Sequence, residues 1–229
     1  MMRLRNFLFT GIAAGSLAVF TPAIQAELPV DVRTSANADA QKPAIQQYVS
    51  ALVGQIRGTD PKLASQAREE LTKQVESNPN AGIQVSASFQ LVYTSAVMND
   101  IQAMLKSPDV RDRLSAGVIV QRLANATKLM SLQQAIQTLL ADESPAVALW
   151  GVKSAGALIP TVLNGGFAAQ NEKLTTGIVD AVKKHPQSGP IAQDAYRALD
   201  VSKIQPPLPA AGITKATIAM NDMLAARVQ

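Results

Sequence analysis

The chain has 229 residues, a formal charge of +4 at pH 7, no cysteine, one tryptophan and one histidine, His185. That composition leaves no Cys/His nucleophilic pair, no disulfide staple and no transition-metal site built from His and Cys ligands. Twenty-one lysines and arginines are scattered among seventeen acids, and no aromatic is interleaved with a basic run, so neither a phosphate track nor a base-stacking platform is expected.

Residues 1–26 read as a secretory signal peptide. Arg3 and Arg5 precede the apolar run "FLFTGIAAGSLAVF", and "AIQA" offers cleavage after Ala26. The run is shorter than the ~20 apolar residues of a spanning helix and contains Gly11 and Gly15, so removal is expected rather than anchoring. The expected location is the periplasm or the exterior, with no membrane insertion after cleavage. Residues 27–40 show no helical period and are expected to form a flexible leader.

Residues 41–204 carry one helical pattern after another. From Pro43, the apolar positions Ile45, Val49, Leu52, Val53 and Ile56 predict an amphipathic helix. Asp60-Pro61 opens the next, with a narrow stripe of Leu63, Ala67, Leu71 and Val75, and Ser77-Asn78-Pro79-Asn80 predicts a turn. A long run from Ile83 to Leu105 favours helix by its length and later period. Ser107-Pro108 then opens a further helix. After it, "MSLQQAIQTLLAD" sorts Leu132, Ala135, Ile136, Leu139 and Leu140 to one side and Gln133, Gln134, Gln137 and Thr138 to the other.

The stretch from Ser144 to Leu163 organises the rest. Ser144 is placed to cap a helix and Pro145 to occupy its first turn. Val147, Ala148, Gly151, Val152, Ala155, Leu158, Ile159, Val162 and Leu163 fill an arc of roughly 160°, which predicts a helix covered on more than one side. Pro160 should kink or end it, ahead of Asn164-Gly165-Gly166. "NEKLTTGIVDAVKKHP" predicts a partner helix with Leu174, Ile178, Ala181 and Val182 inward and Lys183, Lys184 and His185 at its negative end. Gly189-Pro190 opens another. Residues 205–212, "QPPLPAAG", predict an extended spacer, and 213–229 an amphipathic helix with Ile213, Ala216, Met220, Met223 and Leu224 on one face, expected to cap its own chain, with docking on a partner as the alternative.

Helix-opening prolines at 61, 108, 145 and 190 are spaced 47, 37 and 45 residues apart, the period of a helical repeat array. "ADESPAVALWGVKSAGAL" and "KSPDVRDRLSAGVIVQRL" resemble the first helix of the HEAT-repeat family, clearest over residues 107–203. Trp150 and Leu149 depart from the charged or small residues more usual there. The resemblance implies an all-α fold, a short α-solenoid of antiparallel helix pairs with a C-terminal capping helix. It also implies a protein partner rather than a reaction.

No catalytic, cofactor or metal-ligating residues are assigned, and no cofactor is expected. The candidate partner-binding residues are Trp150, a frequent interface anchor when partly exposed, and the row Gln133, Gln134 and Gln137 on a second helix. The expected function is an exported, non-enzymatic protein-binding or assembly scaffold. Two alternatives stand beside it. One is an enzyme acting on cell-wall polymer through carboxylates, because Glu143-Ser144 resembles the glutamate-serine pair of lytic transglycosylases, although the pair lies in a helix lead-in. The other is a carrier of an apolar ligand within the Ala/Val/Met-rich interior. The remaining carboxylate clusters are Glu69-Glu70, Asp109 with Asp112, and Asp142-Glu143.

Overall fold

Short polar side chains and prolines set where the helices begin. Asp60 accepts from the amides of Lys62 and Leu63 at 2.8 and 3.2 Å, Ser86 from Phe89 at 3.0 Å and Asp109 from Arg111 at 2.9 Å, satisfying donors that a first helical turn leaves open. In the computed structural model, residues 27–200 and 210–228 are described. They form α1 (Val30–Thr34), α2 (Lys42–Ile56), α3 (Pro61–Lys73), α4 (Ala87–Leu105), α5 (Val110–Thr127), α6 (Gln133–Leu140), α7 (Pro145–Asn164), α8 (Ala168–Lys184), α9 (Gly189–Leu199) and α10 (Ala210–Val228), with three short 3₁₀ turns. Among the described residues there is no strand, only an isolated bridge between Asn78 and Ile83, and the fold is all-α. The expected signal peptide, 1–26, lies outside the described residues, as do positions 205–209 of the expected spacer.

The inward faces follow the sequence pattern closely. Ile45, Val49, Leu52, Val53 and Ile56 of α2 are buried, as are Leu132, Ala135, Ile136, Leu139 and Leu140 around α6 and Leu174, Ile178, Ala181 and Val182 of α8. Helix α7 packs on α5, α6, α8 and α9, which accounts for its broad apolar arc. It is long and apolar enough to cross a membrane, yet 56% of its most apolar window is buried inside the protein. Along the chain, α3 packs on α5, α5 on α7 and α7 on α9, while α4 packs on α6, α6 on α8 and α8 on α10.

Several local expectations need correction. Residues 27–40 are not a free leader: they include α1, bury Leu28, Val32 and Ala38, and insert the Arg33 side chain beside the α3–α4 connection, where its Nε and Nη2 donate to the carbonyls of Gln74 and Glu76 at 3.1 and 3.0 Å. A segment too short for a period can still order when one long side chain finds three acceptors. Helix α7 does not end at Pro160 but continues to Asn164, because neighbours on four sides hold the backbone where one hydrogen bond is missing. Ser144 precedes α7 without a side-chain cap; its amide instead donates to Asp142 Oδ1 at 2.8 Å. Residues 83–86 precede α4, which starts only after the Ser86 cap. At the end of the chain, α10 begins at Ala210, inside the expected spacer, and buries Ala216, Ala219 and Met223, leaving Ile213 and Leu224 exposed.

Two glycines let helices approach more closely than side chains would allow. A Cβ on Gly151 would lie 2.6 Å from the Leu140 amide nitrogen and 2.8 Å from the Leu139 carbonyl carbon, so α7 rests on the backbone at the end of α6. A Cβ on Gly117 would lie 2.9 Å from that of Trp150, which fixes the spacing of α5 and α7 at the tryptophan.

Candidate functional site

Trp150 is half-buried. Its Cβ nests against Gly117, while its ring lines an open groove of about 370 Å³ bounded by α3, α5 and α7. Lys153, one turn on, places Nζ 4.7 Å from the ring centroid, within cation–π range. The root of the tryptophan thus wedges against the neighbouring helix while its ring forms a wall of the groove.

The other walls come from two helical stripes. On α3 these are Pro61, Ala64 and Arg68; on α5 they are Arg111, Ser115 and Val118, with Leu114 beside them. Arg68 Nη1 donates to Ser115 Oγ at 3.3 Å, and Arg111 Nη2 to the Gly58 carbonyl at 2.9 Å. One turn beyond, Arg122 Nη1 donates to Thr72 Oγ1 at 3.2 Å. Each of the three guanidiniums therefore bonds a neutral oxygen. Arg68 is held below its ordinary value by burial first and then by the like charges of Arg111 and Arg122. The groove lining contains no carboxylate.

Farther along the same face the charges are balanced. A second groove, about 240 Å³, is lined by Gln121, Val152, Lys153, Gly156, Asp194 and Arg197, among others. There Asp194 sits 3.7 Å from Lys153 Nζ and 3.1 Å from Arg197 Nη1.

The glutamine row is broken up by the fold. Gln137 is half-buried and donates to the Lys173 carbonyl at 2.9 Å, so it joins α6 to α8. Gln133 is also half-buried, with its Nε2 enclosed and unpartnered. Gln134 alone of the three is exposed. A helical wheel put them together on the polar side of α6, but α8 packs across part of that side.

The carboxylate clusters hold turns and helix ends. Glu70 accepts from Tyr48 at 2.9 Å and from Gln74 at 2.6 Å; Asp109 caps α5; Asp112 accepts from Ser107 at 2.9 Å. Asp142 takes a two-point bond from Arg113, at 2.7 and 3.3 Å, and so ties the start of α5 to the α6–α7 turn. Glu143 Oε1 pairs with Lys184 Nζ at 2.7 Å, its own side chain 87% exposed, so it lacks the enclosing cleft that two-carboxylate chemistry uses. His185 ends α8, with Nε2 3.1 Å from the Asp142 carbonyl oxygen. Tyr48, buried beside Glu70, has its phenol pushed well above its ordinary value, by burial first and the carboxylate second.

Sequence reasoning singled out Trp150 but not the arginines beside it. Arg111, Ser115, Val118 and Arg122 are spaced i, i+4, i+7, i+11 on α5, and Pro61, Ala64, Arg68 and Thr72 are spaced i, i+3, i+7, i+11 on α3. Each is one face of a helix, a legible signal. Their convergence depends on the register of α3 against α5, which no single helix carries.

No protein-family model matches the sequence, and no curated protein and no solved structure matches the chain.

Proposed function

We propose that this protein is an exported, non-enzymatic protein-binding or assembly scaffold, built as a short α-solenoid of HEAT-like repeats. The observation that carries the reading is the order of packing: α3, α5, α7 and α9 follow one another, and α4, α6, α8 and α10 do likewise. Helix pairs stacked in chain order bury a continuous core and leave long faces available for a partner. The 37-to-47-residue spacing of helix-opening prolines supports the same reading from sequence. Export rests on Arg3, Arg5, the apolar run and Ala26. Cleavage after Ala26 makes Glu27 the first residue of the exported chain. Its carboxylate lies 2.7 Å from Arg33 Nη1 and 3.7 Å from Lys73 Nζ, so the new terminus would be held in place.

The test is to express the tagged full chain in its own host with a photo-crosslinking residue at Val118, in the groove, or at exposed Leu91. Expected are a chain beginning at Glu27 in the periplasmic or external fraction and reproducible crosslinking to one identified protein. A chain retained in the cytoplasm would overturn export, and no reproducible partner from either position would overturn the scaffold reading.

A further inference from the structure

The groove between α3, α5 and α7 has a feature that a general scaffold does not require. Elsewhere among the described residues, arginines meet carboxylates: Arg33 pairs with Glu27, Arg57 with Asp112, Arg113 with Asp142, and Arg197 with Asp194. Arg68, Arg111 and Arg122 instead each direct one bond to a neutral oxygen, from Ser115, Gly58 and Thr72. A guanidinium carries five N–H donors, so each retains donors for a ligand. Three like charges from two helices, one of them partly desolvated, repel each other until an anion enters. The fold holds them there without building in a counter-charge.

We propose that this groove is the binding site for a short acidic peptide segment of a protein partner, with carboxylates on Arg68 and Arg111, Arg122 adding positive charge one turn beyond the groove, and an apolar side chain of the segment against Trp150. The proposal rests on the scaffold reading and names the partner's chemistry. Carboxylates suit the fork of a guanidinium, forming two parallel bonds where geometry permits. The apolar contact is supplied by the Trp150 ring with Leu114 and Val118. Tryptophan and arginine side by side are the residue types that dominate interface energetics.

The same geometry disfavours a long polyanion. A phosphate polymer gains affinity by following an extended cationic track. Here the track ends within one groove: past Trp150, Lys153 and Arg197 are already paired with Asp194, whose carboxylate faces the next groove. A short segment is therefore the occupant that the charge distribution fits.

Because Trp150 is the single tryptophan of the chain, its fluorescence reports directly on the groove. The full chain is titrated with N-acetyl-Asp-Glu-Leu-Asp-Glu-amide, with the isosteric N-acetyl-Asn-Gln-Leu-Asn-Gln-amide, and with inorganic polyphosphate, at low and at physiological salt. The acidic peptide should change the emission saturably, weaken as salt rises, and bind at least about tenfold more tightly than the amide peptide. Arg68→Gln combined with Arg111→Gln should weaken it about tenfold or more, Arg68→Lys with Arg111→Lys less, and Arg197→Gln hardly at all. Circular dichroism on each variant separates lost binding from lost fold, and the lysine pair keeps the test valid if the glutamine pair unfolds. Equal binding of the two peptides, indifference to the arginine variants, or preference for polyphosphate would each overturn the proposal. Failure here with a crosslinked partner still captured would sink the acidic-segment site alone; loss of both would sink the scaffold reading as well.

Discussion

The two ends of this molecule are held together by different physics. Around α1 to α4, long polar side chains join elements distant in sequence: Arg33 reaches the carbonyls of Gln74 and Glu76, and Tyr48, Glu70 and Gln74 bond one another at 2.6 to 3.0 Å. Beside them Phe89 and Tyr93 stack at 5.1 Å, and the Tyr93 hydroxyl donates to the Leu71 carbonyl at 2.8 Å. Around α5 to α9, polar ties such as Arg113 to Asp142 also occur, but the closest approaches are made where a side chain is missing: Gly117 beneath Trp150, Gly151 on the α6 backbone, Gly156 against Ala198 and Gly177 against Leu140. A polar network tolerates small shifts of its helices but fails when a partner is removed. A close backbone contact has no partner to lose and fails when an atom is added.

That contrast gives opposite expectations for similar substitutions. The largest effect belongs to Gly151→Ala. The added methyl would fall 2.6 Å from the Leu140 nitrogen, and because backbone is not easily displaced, a loss of about 3 kcal/mol is expected. Urea unfolding followed by circular dichroism measures it; an unchanged midpoint would mean that α6 and α7 are not locked as described.

Next comes Arg33→Met, which keeps an unbranched apolar stem and removes the guanidinium donors. Two carbonyls beside the α3–α4 connection lose their bonds, and a loss of about 2 kcal/mol is expected. Limited proteolysis should then cut within residues 27–41 well before the rest of the chain. Retained protection of that segment would show that Leu28 and Val32 hold it without the arginine.

The smallest effect has the reverse sign. Gly54 lies within α2 with no atom within 4 Å of a built Cβ, so Gly54→Ala adds helix propensity without a clash and should stabilise by about 0.5–1 kcal/mol. A thermal scan showing destabilisation at Gly54 would erase the distinction between the two ends, since both would then be overpacked.

Much of the architecture was legible residue by residue. Every apolar position assigned inward on α2, α6 and α8 is buried, because a 3.6-residue period is a property of the helix alone. The boundaries that shifted share a cause. Pro160 did not end α7, and 27–40 did not trail free, because neighbours elsewhere in the chain supplied the contacts. The candidate site divided the same way: Trp150 was recognisable as an outlier on its own helix, while Gln137 was drawn onto α8 and Gln133 was half-buried.

The sequence by itself determined the helices, their inward faces and the interval at which they recur, since each depends on residues within a turn or two of one another. Only the tertiary structure decided which polar residues remain at a surface and which charges stand together. Arg68 and Arg111 are 43 positions apart, and neither helix registers the other until α3 lies against α5. Electrostatic potential sums over distance in space, so a groove of like charge exists only once the chain is folded.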